Sequence, residues 1–247
     1  MGSKVNGSAL AAGISCAVLM TAVPGLAQDR TGPNAAEQAA QPVAGGSGVA
    51  RFDAAMQMAE IGRSARDPVL LVAAARALAL VGRTPGTDEG ATGDAPVGAK
   101  PRPAAGSGAT RAETPPTDLF DQLLAEARLL ASPGDEAIAA LIADTEQSAS
   151  RGTVAGPHTH NVRLRANRYW DSIETFTGGR LAEAGTAGDG DTDVDLEVYD
   201  QNGNLMCSSL SSDDREYCSW TPAWTGDFRI RITNLGWVYN DVVLAVN

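Results

Sequence analysis

Catalytic side chains are scarce in this sequence. Histidine occurs only at His158 and His160, and the chain contains neither a Gly-x-Ser-x-Gly nor a His-Glu-x-x-His motif. A hydrolase needs a nucleophile, a base and an orienting group within reach of one another. Two imidazoles separated by a single residue could bind a metal. At the edge of a domain, the simpler interpretation is that both are solvated. We therefore predict that the protein is not an enzyme.

Positive charge is scarce as well. Lysine occurs only at Lys4 and Lys100, and 19 basic against 30 acidic residues give a formal net charge of -11. Nucleic acids and anionic membrane surfaces both attract basic patches. The composition therefore argues against both as partners.

The apolar run near the N-terminus is too short to span a bilayer comfortably. Lys4 precedes the apolar residues 9–23, and a Pro-Gly break then leads to small residues that end at Ala27. This order is typical of a secretory signal peptide. We predict cleavage after Ala27, a periplasmic or extracellular mature chain, and no membrane span in it. A lipoprotein cleaved at Cys16 is the alternative, which Gly13 disfavours because an aliphatic residue is expected there.

Cysteine is rare. The chain has three, and removal of Cys16 with the signal peptide leaves Cys207 and Cys218. An even number of cysteines in an oxidising compartment favours one disulfide bond. A pair of buried free thiols is the alternative.

Aromatic residues are nearly absent from the first two thirds of the chain. Phe52 and Phe120 are the only ones before residue 169, whereas all four tryptophans and all four tyrosines follow. This asymmetry predicts two different folding units.

Helical periodicity predicts two helical hairpins, at 50–82 and 116–150. In the first hairpin, Asp67 followed by proline indicates the start of the second helix. In the second hairpin, Ser132 is the expected N-cap of the second helix, with an acid three residues later. The spacing from Phe-Asp to the later aspartate is the same in both hairpins, which suggests one unit used twice. We expect the two hairpins to pack on each other as a small bundle.

The stretches beside the hairpins are rich in Gly, Ala and Pro and have no hydrophobic period. This composition predicts a disordered lead-in at 28–49 and a flexible linker at 83–115.

From residue 152 onward the hydrophobic period changes to two. Apolar and polar residues alternate at 162–165, 193–198 and 227–233, as in half-buried antiparallel strands. Turns rich in Gly, Asn and Asp separate seven or eight such strands. The predicted fold class is therefore α+β and multi-domain, with a small helical bundle followed by an all-β sandwich or jelly roll at 152–247.

Three motifs in this region resemble the bacterial pre-peptidase C-terminal domain. They are the Asp-rich segment 188–204, the segment Trp220–Phe228 and the segment Asn234–Asn240, in the expected order. The resemblance implies a β-sandwich appended to secreted proteins, often peptidases, with roles in adhesion, substrate contact or secretion and with no catalytic residues. No part of the chain before residue 152 resembles a peptidase.

An aspartate run is the sharpest chemical feature. Its members recur at every second residue and are followed by one more acid at the twelfth position of a calcium-loop pattern: Asp189, Asp191, Asp193, Asp195 and Asp200. Oxygen ligands on a Gly-rich turn favour calcium over magnesium. Val194 departs from the pattern, which needs glycine at that position. The alternative is a solvated strand edge with turn-forming aspartates.

These features together predict an exported, non-catalytic binding or adhesion protein whose partner is an extracytoplasmic protein or glycan. One alternative is an accessory module that docks a separately encoded secreted protease. Another is a carbohydrate-binding protein that uses exposed tryptophan rings. Calcium is the only cofactor that the sequence suggests.

Overall fold

The described part of the chain contains four helices: α1 (Gly48–Ala65), α2 (Pro68–Val81), α3 (Leu119–Leu130) and α4 (Glu136–Ala149). The computed structural model describes residues 30–41, 46–81, 84–85, 90–95, 118–149, 156–190 and 192–247. The predicted signal peptide lies outside these ranges, so its cleavage stays a prediction. None of the described helices is both long enough and apolar enough to cross a membrane.

Aspartate caps begin the second helix of each hairpin. The Asp67 carboxylate accepts hydrogen bonds from the backbone N–H groups of Val69 and Leu70. The Asp135 carboxylate accepts one from the N–H of Ile138 at 3.1 Å. Asp135 is therefore the cap, and the prediction of Ser132 was wrong, because Ser132 contributes only a carbonyl to the preceding turn. The two equally spaced aspartates therefore have the same role, as the N-cap of the second helix in each hairpin.

The two hairpins pack on each other, with α2 in contact with α1, α3 and α4. Phe52, Leu71, Leu78 and Leu123 are fully buried at the centre of this helical layer. Arg63 of α1 also forms a two-bond ion pair with Glu126 of α3. The predicted pairing of the hairpins is confirmed.

Ten strands form two sheets: β1 (Thr84–Pro85), β2 (Ala91–Asp94), β3 (His158–Leu164), β4 (Arg168–Phe176), β5 (Ala182–Ala187), β6 (Val194–Asp200), β7 (Leu205–Ser209), β8 (Tyr217–Trp220), β9 (Gly226–Asn234) and β10 (Asn240–Val246). The helix-facing sheet has the order β1-β3-β10-β5-β8, and the distal sheet has the order β2-β4-β9-β6-β7. All described pairings are antiparallel except β1 with β3.

The eight strands from β3 to β10 form a jelly roll, in which the chain passes repeatedly between the two sheets. Every second residue points inward, so that Leu196, Phe228, Ile230 and Leu244 fill the space between the sheets. The predicted fold class, a helical bundle followed by an all-β sandwich, is confirmed.

The helical layer covers the outer face of the helix-facing sheet. Ala187, Val243 and Ala245 point away from the sandwich core and belong to the same apolar cluster as the helices. Residues 31–247 accordingly form one compact unit. The helices and the helix-facing sheet therefore share an apolar interface, and the independent folding of the two parts stays a prediction.

The lead-in at 28–49 differs from its prediction. Residues 31–41 lie against one end of the sandwich, where Asn34 is fully buried. The N–H groups of Ala36 and Ala40 donate to the carbonyl and the hydroxyl of Thr221. The expectation of disorder was wrong for this segment because its backbone polar groups find partners in sandwich loops.

The linker at 83–115 also departs from its prediction, because β1 and β2 arise within it and extend the two sheets. A Cβ atom at Gly93 would lie 2.4 Å from the Tyr169 ring, and one at Gly90 would lie 2.1 Å from the indole nitrogen of Trp170. These glycines allow β2 to approach strand β4 closely, so their presence does not indicate flexibility. Residues 86–89 and 96–117 lie outside the described part of the chain.

Candidate functional site

The described members of the aspartate run lie in different parts of the fold. Asp189 and Asp193 flank the turn between β5 and β6, Asp195 lies on the outer face of β6, and Asp191 lies outside the described residues. One Asp189 carboxylate oxygen accepts the N–H of Asp241 at 3.1 Å. Among the described residues, no three or more His, Cys, Asp or Glu side chains are grouped as a metal site would require.

Asp200 lies at the other end of β6, about 20 Å from Asp193 at the rise of an extended strand. Its carboxylate accepts hydrogen bonds from Asn34, Asn202 and Asn204. Burial alone would raise the pKa of Asp200, but these hydrogen bonds outweigh it and lower the pKa. Asp200 is therefore a turn-capping residue, and the predicted calcium-loop geometry, in which it is the last ligand, is wrong because 194–200 is a strand.

A cleft of about 510 Å³ opens where α1 meets the loops at one end of the jelly roll. One wall is helical and contains Met56, Glu60 and Arg63. The opposite wall comes from the β5–β6, β7–β8 and β9–β10 loops, with Asp193, Asp213, Asp214, Arg215 and Trp237 among its residues. Its volume lies within the range of small-molecule sites.

Arg215 joins the two walls of the cleft. Its guanidinium donates to Asp53 at 2.8 Å and to Glu60 at 3.2 Å, both on α1. Burial alone would lower the pKa of Arg215, but the hydrogen bonds to these two carboxylates outweigh it and raise the pKa. Arg215 therefore stays charged and fixes the helical layer against the loop that carries it.

Asp214 is a partly buried residue of the loop wall. Its carboxylate accepts hydrogen bonds from the N–H of Gly190 and from the Asn240 amide. Burial raises the pKa of Asp214, since the hydrogen bonds and the nearby Arg63 offset only part of the desolvation of its charged form. Its neighbour Asp213 is exposed and supports the fold through its carbonyl, which accepts the N–H of Val194.

Trp237 supplies the aromatic surface of the cleft. It is 40% exposed, whereas Trp170, Trp220 and Trp224 are at most 8% exposed. Its loop is fixed by Asn234, whose amide donates to the carbonyls of Leu164 and Val238. Three tryptophans therefore serve the core, and one indole ring is available to a ligand.

The tyrosines do not provide a comparable surface. Arginine side chains cover the rings of three of them, and the fourth, Tyr217, is half-buried and donates its hydroxyl hydrogen to Glu183. Arg231 stacks over Tyr169 at 3.8 Å and also pairs with Asp171. Arg229 stacks over Tyr199, and Arg163 stacks over Tyr239 at the same distance of 4.5 Å. Around Tyr169 and Tyr199, the outer face of the distal sheet is therefore a self-paired surface of Arg, Tyr and acidic residues. Arg163 instead lies on β3 of the helix-facing sheet.

The two histidines lie on β3, apart from the cleft. His160 is buried, with its Nε2 3.0 Å from the Glu174 carboxylate. Burial alone would raise the pKa of Glu174, but the hydrogen bonds from His160 and Ser172 outweigh it and lower the pKa. His160 is thus part of a buried polar contact, whereas His158 is exposed.

The predicted disulfide bond is confirmed. Cys207 of β7 and Cys218 of β8 are bonded, with their Cα atoms 5.9 Å apart. Because β7 belongs to the distal sheet and β8 to the helix-facing sheet, the bond joins the two layers of the sandwich.

Sequence comparison finds no matching family model and no matching curated protein. Several solved structures show weak similarity. A de novo designed double-stranded β-helix is 12% identical (TM-score 0.24, 36% of this chain and 99% of that chain). A carbohydrate-binding module from Cellvibrio mixtus lichenase 5A, solved with cellotriose, is 7% identical (0.25, 36% and 86%). The carbohydrate-binding module CBM36, solved with calcium and xylotriose, is 9% identical (0.23, 38% and 92%). With TM-scores this low, the similarities do not indicate what this chain binds.

Proposed function

We propose that this is an exported, non-catalytic binding protein whose ligand occupies the cleft between α1 and the loop end of the jelly roll. One observation carries the proposal: Trp237 exposes its ring in a cleft where charged side chains from two other loops and a helix converge. A concave site with an aromatic surface and a few convergent polar groups is the usual form of a ligand pocket.

The chemistry of the lining favours binding over catalysis. Among the described residues that line the cleft, none is histidine or cysteine. The side chains best suited to activate a nucleophile are therefore missing from this set. The arginines are already engaged in ion pairs with Glu126, Asp53 and Glu60, so they stabilise the walls of the cleft.

Export is the second part of the proposal. The tripartite leader that ends at Ala27 supports it, and the bond between Cys207 and Cys218 is of a kind that persists in oxidising compartments. The resemblance of 152–247 to the pre-peptidase C-terminal domain stays a prediction and implies the same kind of role, in adhesion or substrate contact.

A ligand screen tests the binding site. Oligosaccharides, peptides and small amines are screened by thermal shift against the mature chain, Trp237→Ala and Ile173→Ala. Ile173 is the matched control because it is an exposed apolar side chain on the distal sheet. At least one class should raise the Tm of the wild type and of Ile173→Ala, since a ligand that binds the folded state stabilises it, and should leave Trp237→Ala unchanged.

Two results would contradict the proposal. One is a ligand that stabilises Trp237→Ala as much as the wild type, which would place binding outside the cleft. The other is conversion of a bound ligand to products, detected by mass spectrometry, which would show catalysis.

Carbohydrate binding is the second candidate function, because the exposed Trp237 ring could also stack on a sugar.

Calcium binding at the β5–β6 turn is proposed separately from the cleft ligand. If Asp189, Asp191 and Asp193 share a calcium ion, millimolar calcium should raise the Tm through preferential binding to the folded state. Asp191→Asn together with Asp193→Asn should abolish the rise, whereas Asp227→Asn on the distal sheet should keep it. A Tm that is the same with calcium and with chelator at moderate salt would leave these aspartates as turn formers.

A further inference from the structure

We propose that the cleft recognises an alkylammonium group, from a free polyamine or from a lysine side chain of a partner. This inference rests on the proposed function, because it names the ligand class of the same cleft. It depends on three observations: the balance of charge in the lining, the exposed indole ring, and the apolar residues that lie between the charges.

Negative charge is in excess in the cleft. Its lining includes four carboxylates, on Glu60, Asp193, Asp213 and Asp214, against the two guanidinium groups of Arg63 and Arg215. Arg63 pairs with Glu126 and Arg215 pairs with Asp53, both outside the lining, and Arg215 also pairs with Glu60 within it. Carboxylates still outnumber guanidinium groups in the lining by four to two. A concave site lined by one sign of charge concentrates ligands of the opposite sign.

Asp214 supports the same conclusion. Burial raises its pKa despite two hydrogen bonds and the proximity of Arg63, so its negative charge is incompletely compensated. A ligand cation beside Asp214 would supply that compensation. The supporting geometry is that Asp214 and its exposed neighbour Asp213 lie in the same wall as Trp237.

The exposed Trp237 ring favours an organic cation over a metal ion. The face of an indole ring attracts ammonium groups within about 6 Å, and tryptophan is the most effective side chain in this role. Met56 and Ala187 also line the cleft and offer apolar surface to a methylene chain. A cleft of about 510 Å³ is far larger than a metal ion needs. Ring, apolar surface and carboxylates together match an ammonium group on an aliphatic chain.

Calorimetric titration of the mature chain at physiological salt tests the inference with three probes. Spermidine represents the free polyamine, a short lysine-containing peptide represents the side chain of a partner, and cellotriose represents a neutral glycan. We expect saturable binding of spermidine or of the peptide, and the stronger of these two identifies the source. We expect no binding of cellotriose.

Two cleft variants and one control make the test specific. Trp237→Leu should weaken amine binding about fivefold to tenfold by loss of the ring face, and Asp213→Asn should weaken it by a similar factor through loss of a carboxylate. Asp213→Asn should not disturb the fold, because the structural hydrogen bonds of Asp213 are made by its backbone. The substitution leaves that backbone unchanged. Asp227→Asn changes the net charge equally but lies on the distal sheet, so it should stay within about twofold of the wild type.

The outcomes separate the inference from the proposed function. If Asp227→Asn weakens amine binding as much as Asp213→Asn does, attraction is to the acidic surface as a whole and the inference is overturned. If cellotriose binds in a Trp237-dependent way and neither amine does, the inference fails while the cleft remains the binding site. If no probe binds and no ligand of the wider screen depends on Trp237, both fail.

Discussion

Replacing Cys207 and Cys218 together with alanine should lower the free energy of unfolding by about 3 kcal/mol, the loop-closure contribution of a cross-link between residues this far apart. The bond spans a sequence separation of 11 and joins β7 of the distal sheet to β8 of the helix-facing sheet. Both strands are terminal in their sheets, so each has a sheet neighbour on one side only. Urea denaturation of the double variant beside the oxidised wild type measures the difference.

Ser208→Ala and Ser219→Ala provide the control, because both serines are exposed neighbours of the two cysteines on the same strands. Their midpoints should remain close to that of the wild type. A double cysteine variant as stable as this control would show that strand packing alone holds the layers together. Free thiols at both positions in exported wild-type protein would contradict the bond itself.

The sequence was sufficient for those parts of the fold that depend on local pattern. The helices follow from apolar residues at helical spacing and from an aspartate cap at Asp67. The strands follow from alternation, as in β9, where Phe228, Ile230 and Ile232 point inward. Each of these signals lies within about ten residues of the element that it predicts.

Long-range contacts account for what the sequence did not reveal. The glycine-rich composition of 83–115 predicted flexibility. At position 93, however, glycine is required because the Tyr169 ring occupies the space that a side chain would need. The aspartate run showed residue types suited to calcium, but strand β6 carries Asp200 away from the others. Composition identifies possible ligands, and only the topology determines which of them meet.

The residues of the cleft were likewise only partly predictable from the sequence. The sequence singled out the aspartate run and the tryptophans, and the structure brings Asp193 and Trp237 into the cleft. Nothing in the sequence indicated that Arg215 and Glu60 belong to the cleft, because their contact joins a loop to a helix 155 residues earlier in the chain. A salt bridge across such a separation leaves no local pattern.

Replacing Asn34 with alanine should lower the free energy of unfolding by about 2 to 4 kcal/mol, because it leaves buried backbone groups without partners. The Asn34 side chain accepts the N–H of Trp224 at 2.9 Å and donates to the Trp224 carbonyl at 3.0 Å. Asn34 itself is fully buried, and Trp224 is 8% exposed. Alanine would end both hydrogen bonds and leave a small cavity between the N-terminal segment and the loop before β9.

Gln38→Ala is the matched control, since it shortens an exposed amide side chain in the same segment. Its denaturation midpoint should match that of the wild type. Asn34→Asp adds a sharper comparison: it keeps an acceptor for the Trp224 N–H, loses the donor to the carbonyl, and brings a second carboxylate near Asp200, whose own carboxylate accepts the Asn34 N–H. It should therefore be destabilised even though the side chain keeps its size. Equal stability of Asn34→Ala and Gln38→Ala would mean that the Asn34 side-chain contacts contribute nothing to the stability of the fold.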